Sequence, residues 1–61
     1  MNKLMYKDDG REVKIGDRVI PPGEDIELEI VHIGKFIQLR TLDGRETWTQ
    51  SIEDIGAEEA S

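Results

Sequence analysis

Period-two alternation is the clearest signal in the chain. Ile26-Glu27-Leu28-Glu29-Ile30 sets apolar and acidic residues in strict turn, which places Ile26, Leu28 and Ile30 on one face of a strand and both glutamates on the other. Val31-His32-Ile33 breaks the pattern, because Val31 and Ile33 fall on the glutamate face. Either both faces are partly covered there or a bulge shifts the phase. Gly34-Lys35 then separates two β-favouring runs, as a two-residue type II′ turn would. Such a turn pairs Ile30 with Leu39, Glu29 with Arg40, Leu28 with Thr41 and His32 with Ile37, and sets Ile33 opposite Phe36. Asp43-Gly44 suits a type I′ turn and pairs Leu39 with Trp48 and Arg40 with Thr47. The two turns are independent, yet they yield one inner row, Ile30–Leu39–Trp48, and one outer row of Glu29, Arg40 and Thr47. A slip of one residue would turn Leu39 to water. A three-stranded antiparallel meander over 26–50 follows.

The flanks are weaker. Asp8-Asp9-Gly10 between Met5-Tyr6-Lys7 and Arg11-Glu12-Val13 predicts an N-terminal β-hairpin over 1–13. Gly16-Asp17 marks a turn before a short strand, which Pro21-Pro22 ends because proline has no backbone donor. Ser51 with Asp54 three residues later resembles a capped single 3-10 turn near 51–55. Ala57 onward adds a short strand whose last three residues are expected to fray.

The chain has 61 residues, enough for one domain with a thin core, and hydrophobic and charged residues each make up 36%. Placement of the apolar residues, not their number, argues for a fold. No amphipathic helix is present to cover the meander, so cover must come from Tyr6, Val13, Ile15, Val19, Ile20, Ile52 and Ile55. Burying each aliphatic side chain stabilises by roughly 1.5–3 kcal/mol. The sheet is therefore expected to curl onto its flanks, with an open sheet that dimerises as the rival.

Gly16-Asp17-Arg18-Val19 opening a strand, the Pro/Gly loop at 21–25, the meander, and Ser51-Ile52-Glu53-Asp54-Ile55 before a last strand together resemble a small SH3-like barrel. The resemblance spans 13–60 and implies about five short antiparallel strands forming one closed all-β domain over 1–61. The stretch Asp9-Gly10-Arg11-Glu12-Val13-Lys14-Ile15-Gly16-Asp17-Arg18-Val19 is also similar to small phage and prophage proteins.

Composition narrows function more than it assigns it. There is no cysteine, which excludes disulfides and thiolate zinc sites. The longest apolar run is too short for a membrane span. Met1-Asn2-Lys3-Leu4-Met5 runs straight into charge without a signal-peptide core. A cytoplasmic setting is expected, in the host if the chain is phage-encoded.

His32 is the sole histidine and reads as a strand-surface residue. Asp8-Asp9-Gly10 lacks the ligand spacing of a calcium loop. The expectation is no enzyme, no cofactor and no metal site. Val31, Ile33 and Phe36 form the best candidate for a protein-interaction patch, with a protein partner or a homodimer across it. The net charge of −6 disfavours phosphate backbones. Glu24, Asp25, Glu27, Glu29, Glu53 and Asp54 offer an acidic surface, and an alternative is a nucleic-acid mimic that inhibits a DNA-processing or defence protein. A second alternative, a KOW-like nucleic-acid or ribosome-associated domain, follows from the SH3-like resemblance, but Arg11, Arg18, Lys35, Arg40 and Arg45 are interspersed with glutamates.

Overall fold

The computed structural model describes residues 3–60, so Met1, Asn2 and Ser61, the ends of the expected hairpin and last strand, lie outside it. Six strands are present: β1 (Lys3–Tyr6), β2 (Arg18–Val19), β3 (Leu28–Ile33), β4 (Ile37–Thr41), β5 (Thr47–Gln50) and β6 (Ala57–Ala60), with a 3-10 turn at Glu53–Ile55 before the last. The domain is all-β, as expected. The closed barrel is not: the described residues form two antiparallel ladders, β2-β3-β4-β5 and β1-β6. Two features keep the ladders apart. Pro21-Pro22 limits β2 to two residues, and the 3-10 turn carries the chain from β5 across to β1, where β6 pairs from Tyr6–Ala57 to Lys3–Ala60. Glu59 and Ala60, expected to fray, are thereby held in a strand.

The meander keeps the expected inner and outer rows. Ile30 pairs with Leu39 and Leu39 with Trp48, while Glu29 pairs with Arg40 and Arg40 with Thr47. Neither turn, however, has the expected form. The second is a four-residue loop over 42–45, closed by Thr41 N–H to Glu46 C=O (3.0 Å) and Gly44 N–H to Thr41 C=O (2.9 Å). Only Gly44 in it has positive φ, at 77°. A type I′ turn needs positive φ at two positions, so a type I turn ending in a left-handed glycine takes its place. Both loops are centred between Asp43 and Gly44, so the register survives.

The first turn has three residues, Gly34-Lys35-Phe36, and pairs Ile33 with Ile37 and His32 with Gln38 instead of Phe36 and Ile37. A bulge at Val31, between Ile30 and His32, restores the expected pairing below it.

The hairpin at 1–13 is present around Lys7–Gly10. It is marked by a Met5–Glu12 bridge and by bonds from Tyr6 N–H to Arg11 C=O and Val13 N–H to Leu4 C=O, both 2.8 Å. Strand β1 is thus central to a small layer, with β6 on one side and 11–13 on the other.

One core joins the layers. Leu28, Ile30, Ile37 and Leu39 from the meander are fully buried against Leu4, Val13, Ile55 and Ala57. Tyr6, Val19, Ile33, Trp48 and Ile52 pack at its edge. Three expected core residues are exposed. Ile15 is the second residue of the Lys14–Asp17 turn, in which Asp17 N–H bonds Lys14 C=O and Gly16 has φ 97° as a type II turn requires. Ile20 follows inward-facing Val19 and so points the other way. Ile26 precedes the first ladder pair, Leu28–Thr41, and has no strand opposite it.

Candidate functional site

The sequence-predicted patch is not laid out as alternation implies. The bulge at Val31 moves Ile33 from the glutamate face to the core face, where it pairs with Ile37 and packs half-buried against the core. Val31 is half-buried at the bulge itself. Phe36 is left at the loop with 53% of its surface in water. It lies in the three-residue loop that joins the paired strands β3 and β4.

The acidic residues divide between two segments. Glu24, Asp25 and Glu27 are exposed before β3, and Glu53 and Asp54 are exposed on the 3-10 turn. Glu29 is half-buried and accepts a bond from Arg40 Nη2 at 3.1 Å, while Glu27 lies 3.9 Å from Arg18 Nη1. Ser51 Oγ accepts the Asp54 N–H at 3.2 Å, the local cap its spacing predicts.

The meander has a second uncovered end. Ile26 and Leu42, 48% and 49% exposed, border a shallow cleft of about 550 Å³ with Glu27, Thr41, Asp43 and Glu46. The Asp43 wall is closed by side-chain hydrogen bonds. Its Oδ1 accepts bonds from Thr41 Oγ1 (2.6 Å) and Arg45 N–H (3.0 Å), and Thr41 Oγ1 accepts the Glu46 N–H (3.1 Å). Those bonds, first from Thr41 and then from Arg45, hold the Asp43 carboxyl below its ordinary range.

Sequence reading missed one polar element. Asp17 Oδ2 accepts the Tyr6 hydroxyl at 2.8 Å and the Lys14 N–H at 3.0 Å, tying the hairpin layer to the meander. Arg11, itself bonded to Asp9 at 2.7 Å, stacks its guanidinium 5.3 Å from the Tyr6 ring centre. A buried tyrosine hydroxyl needs a partner, so a tyrosine counted as core cover was itself a signal that a polar residue must meet it.

Burial, reinforced by the bond to Asp17, raises the Tyr6 phenol well above its ordinary 10.0. A proton held more tightly in the folded than in the unfolded chain contributes stability that is complete below pH 10.0 and lost as pH rises through the higher folded value. The thermal midpoint is therefore expected to fall as the pH rises above about 10, and to fall less in Tyr6→Phe. Equal falls in both proteins would show that Tyr6 does not govern the alkaline limb.

Among the described residues no group of three or more His, Asp or Glu is placed to hold a metal ion, and no helix is long and apolar enough to cross a membrane. No family model, no curated protein and no solved structure matches the chain.

Proposed function

We propose that this chain is a non-enzymatic protein-interaction or accessory module with an SH3-like architecture. The observation that carries the reading is Phe36, an aromatic side chain held half in water by a short loop on a well-paired hairpin. Aromatic anchors of this kind contribute disproportionately to binding, and the loop gains nothing from exposing one. Support for the SH3-like relationship comes from the order of elements: a short strand after Gly16-Asp17, a Pro/Gly loop, a three-stranded meander, one 3-10 turn and a final strand. The likeness of the 9–19 stretch to phage and prophage proteins points to a phage genomic context, and to a host cytoplasm if the chain is phage-encoded. The nucleic-acid mimic has less support, because its six carboxylates divide between two separate segments and one of them, Glu29, is bonded by Arg40 at 3.1 Å.

Affinity capture from the source cell, with partners identified by mass, tests this reading when the wild type is compared with Phe36→Ser and with Ile20→Ser. The expected result is a partner whose recovery falls about tenfold or more with Phe36→Ser and is unchanged with Ile20→Ser. Equal recovery by all three proteins would remove Phe36 from the interface.

A further inference from the structure

The cleft at the other end of the meander has a composition that the fold does not need. Leu42 occupies the second position of a type I turn, which accepts most residues, yet it is a large apolar side chain held in water. Ile26 lies outside the ladder and is equally exposed. The remaining lining side chains are Glu27, Thr41, Asp43 and Glu46, with no cation among them. Glu46 has no cationic partner among the described residues. Glu27 and Asp43 are approached by Arg18 and Arg45 only at 3.9 and 3.7 Å, across exposed side chains. Such pairs are weak and readily exchanged. The turn that carries Asp43 is pinned by its own hydrogen bonds, so little ordering would be lost on binding.

The geometry points to this cleft as a docking site for a short basic segment of another protein, with one aliphatic side chain seated between Ile26 and Leu42 and flanking lysines or arginines against Glu27, Asp43 and Glu46. The inference rests on the interaction-module reading and adds the chemistry of a partner at a second surface. Charge favours a basic partner over a second copy of the chain. Two copies at −6 each repel, whereas a cationic segment is drawn in. The rival within the chain itself is Ile15, exposed beside Lys14 and close in sequence to Arg18.

The test uses the full chain, isotope-labelled, titrated at low salt with a capped pentapeptide that has leucine between two pairs of lysines. Amide shifts should concentrate at Ile26, Glu27 and Leu42–Glu46, with a Kd on the order of 1 mM. Binding should weaken about tenfold when serine replaces the peptide's leucine, and about tenfold with Leu42→Ser. It should also weaken with Glu46→Gln and with added salt, and be unaffected by Phe36→Ser. Shifts spread over the whole acidic surface, or equal binding by the leucine and serine peptides, would overturn the site. So would self-association of the free chain that Leu42→Ser abolishes, since a second copy would then fill the cleft. If the peptide fails while Phe36 still controls a captured partner, the cleft falls and the interaction module stands.

Discussion

Leu39→Ala is expected to remove about 2–5 kcal/mol of stability, the largest effect of any single substitution considered. Leu39 is fully buried in the middle of β4, with Ile30 on one side and Trp48 on the other. None of its surface is exposed, so truncation loses buried contact and leaves a cavity that the neighbours fill only in part. A chain of this length has a total stability of only about 3–9 kcal/mol at typical per-residue values. The substitution should therefore leave a domain that is marginally folded at 25 °C. Urea unfolding followed by Trp48 fluorescence checks this, and Leu39→Met, nearly equal in volume, should cost less than about 1.5 kcal/mol. The urea midpoint should fall with little change in slope. A loss below about 1 kcal/mol would mean that the inner row is not the centre of the core.

That row was legible in the sequence because a hairpin's register depends on where its loop is centred, not on the loop's conformation. Asp43-Gly44 and Leu42-Asp43-Gly44-Arg45 share a centre, so the wrong turn type still pairs Leu39 with Trp48. The first hairpin came out right for a less general reason. Its loop has an odd number of residues, which moves the pairing by one, and the bulge at Val31 moves it back. Where the two shifts have not yet cancelled, at His32 and Ile33, alternation assigned the wrong neighbours. The face of Ile33, and with it the layout of the candidate patch, changed accordingly. Breakdown of the pattern at Val31-His32-Ile33 did signal the bulge, but not its side or its consequence for Phe36.

The rest was hidden because it depends on long-range pairing. Leu4 and Ala57 enter the core only when β1 and β6 meet, and no local pattern brings the two ends of a chain together. Exposure of Ile26 and Leu42 follows from where the β3–β4 ladder stops, a boundary that lies inside an otherwise perfect alternation. Local periodicity supplied the sheet's interior, while its ends, where Ile26, Phe36 and Leu42 are exposed, required the tertiary structure.

Asp17→Ala should cost about 2 kcal/mol, second only to the core truncation, although Asp17 is only half-buried. Its carboxylate has two structural donors, the Tyr6 hydroxyl and the Lys14 N–H. Its backbone fixes the other side of the same junction. Asp17 C=O accepts the Ile30 N–H at 2.8 Å, and Gly16 N–H bonds Ile30 C=O at 2.8 Å. The side chain therefore orients the turn that starts the meander's first ladder and at the same time anchors the hairpin layer to it. Removing the carboxylate leaves the tyrosine hydroxyl without its acceptor and frees the turn at its closing residue. A loss of this size lowers the thermal midpoint of so small a domain by on the order of 10 °C.

Tyr6→Phe removes only the hydroxyl and should cost about 1 kcal/mol. The two substitutions are not independent. Once Asp17 is alanine, the hydroxyl has no partner in the fold to lose, so Tyr6→Phe in that background should cost close to nothing, giving a coupling of about 1 kcal/mol. Additive losses would show that Asp17 acts only through the Lys14 turn and that the bond between the layers contributes nothing to stability. Coupling of the expected size would make Tyr6–Asp17 the polar link that holds two separate ladders as one domain where no closed barrel does so.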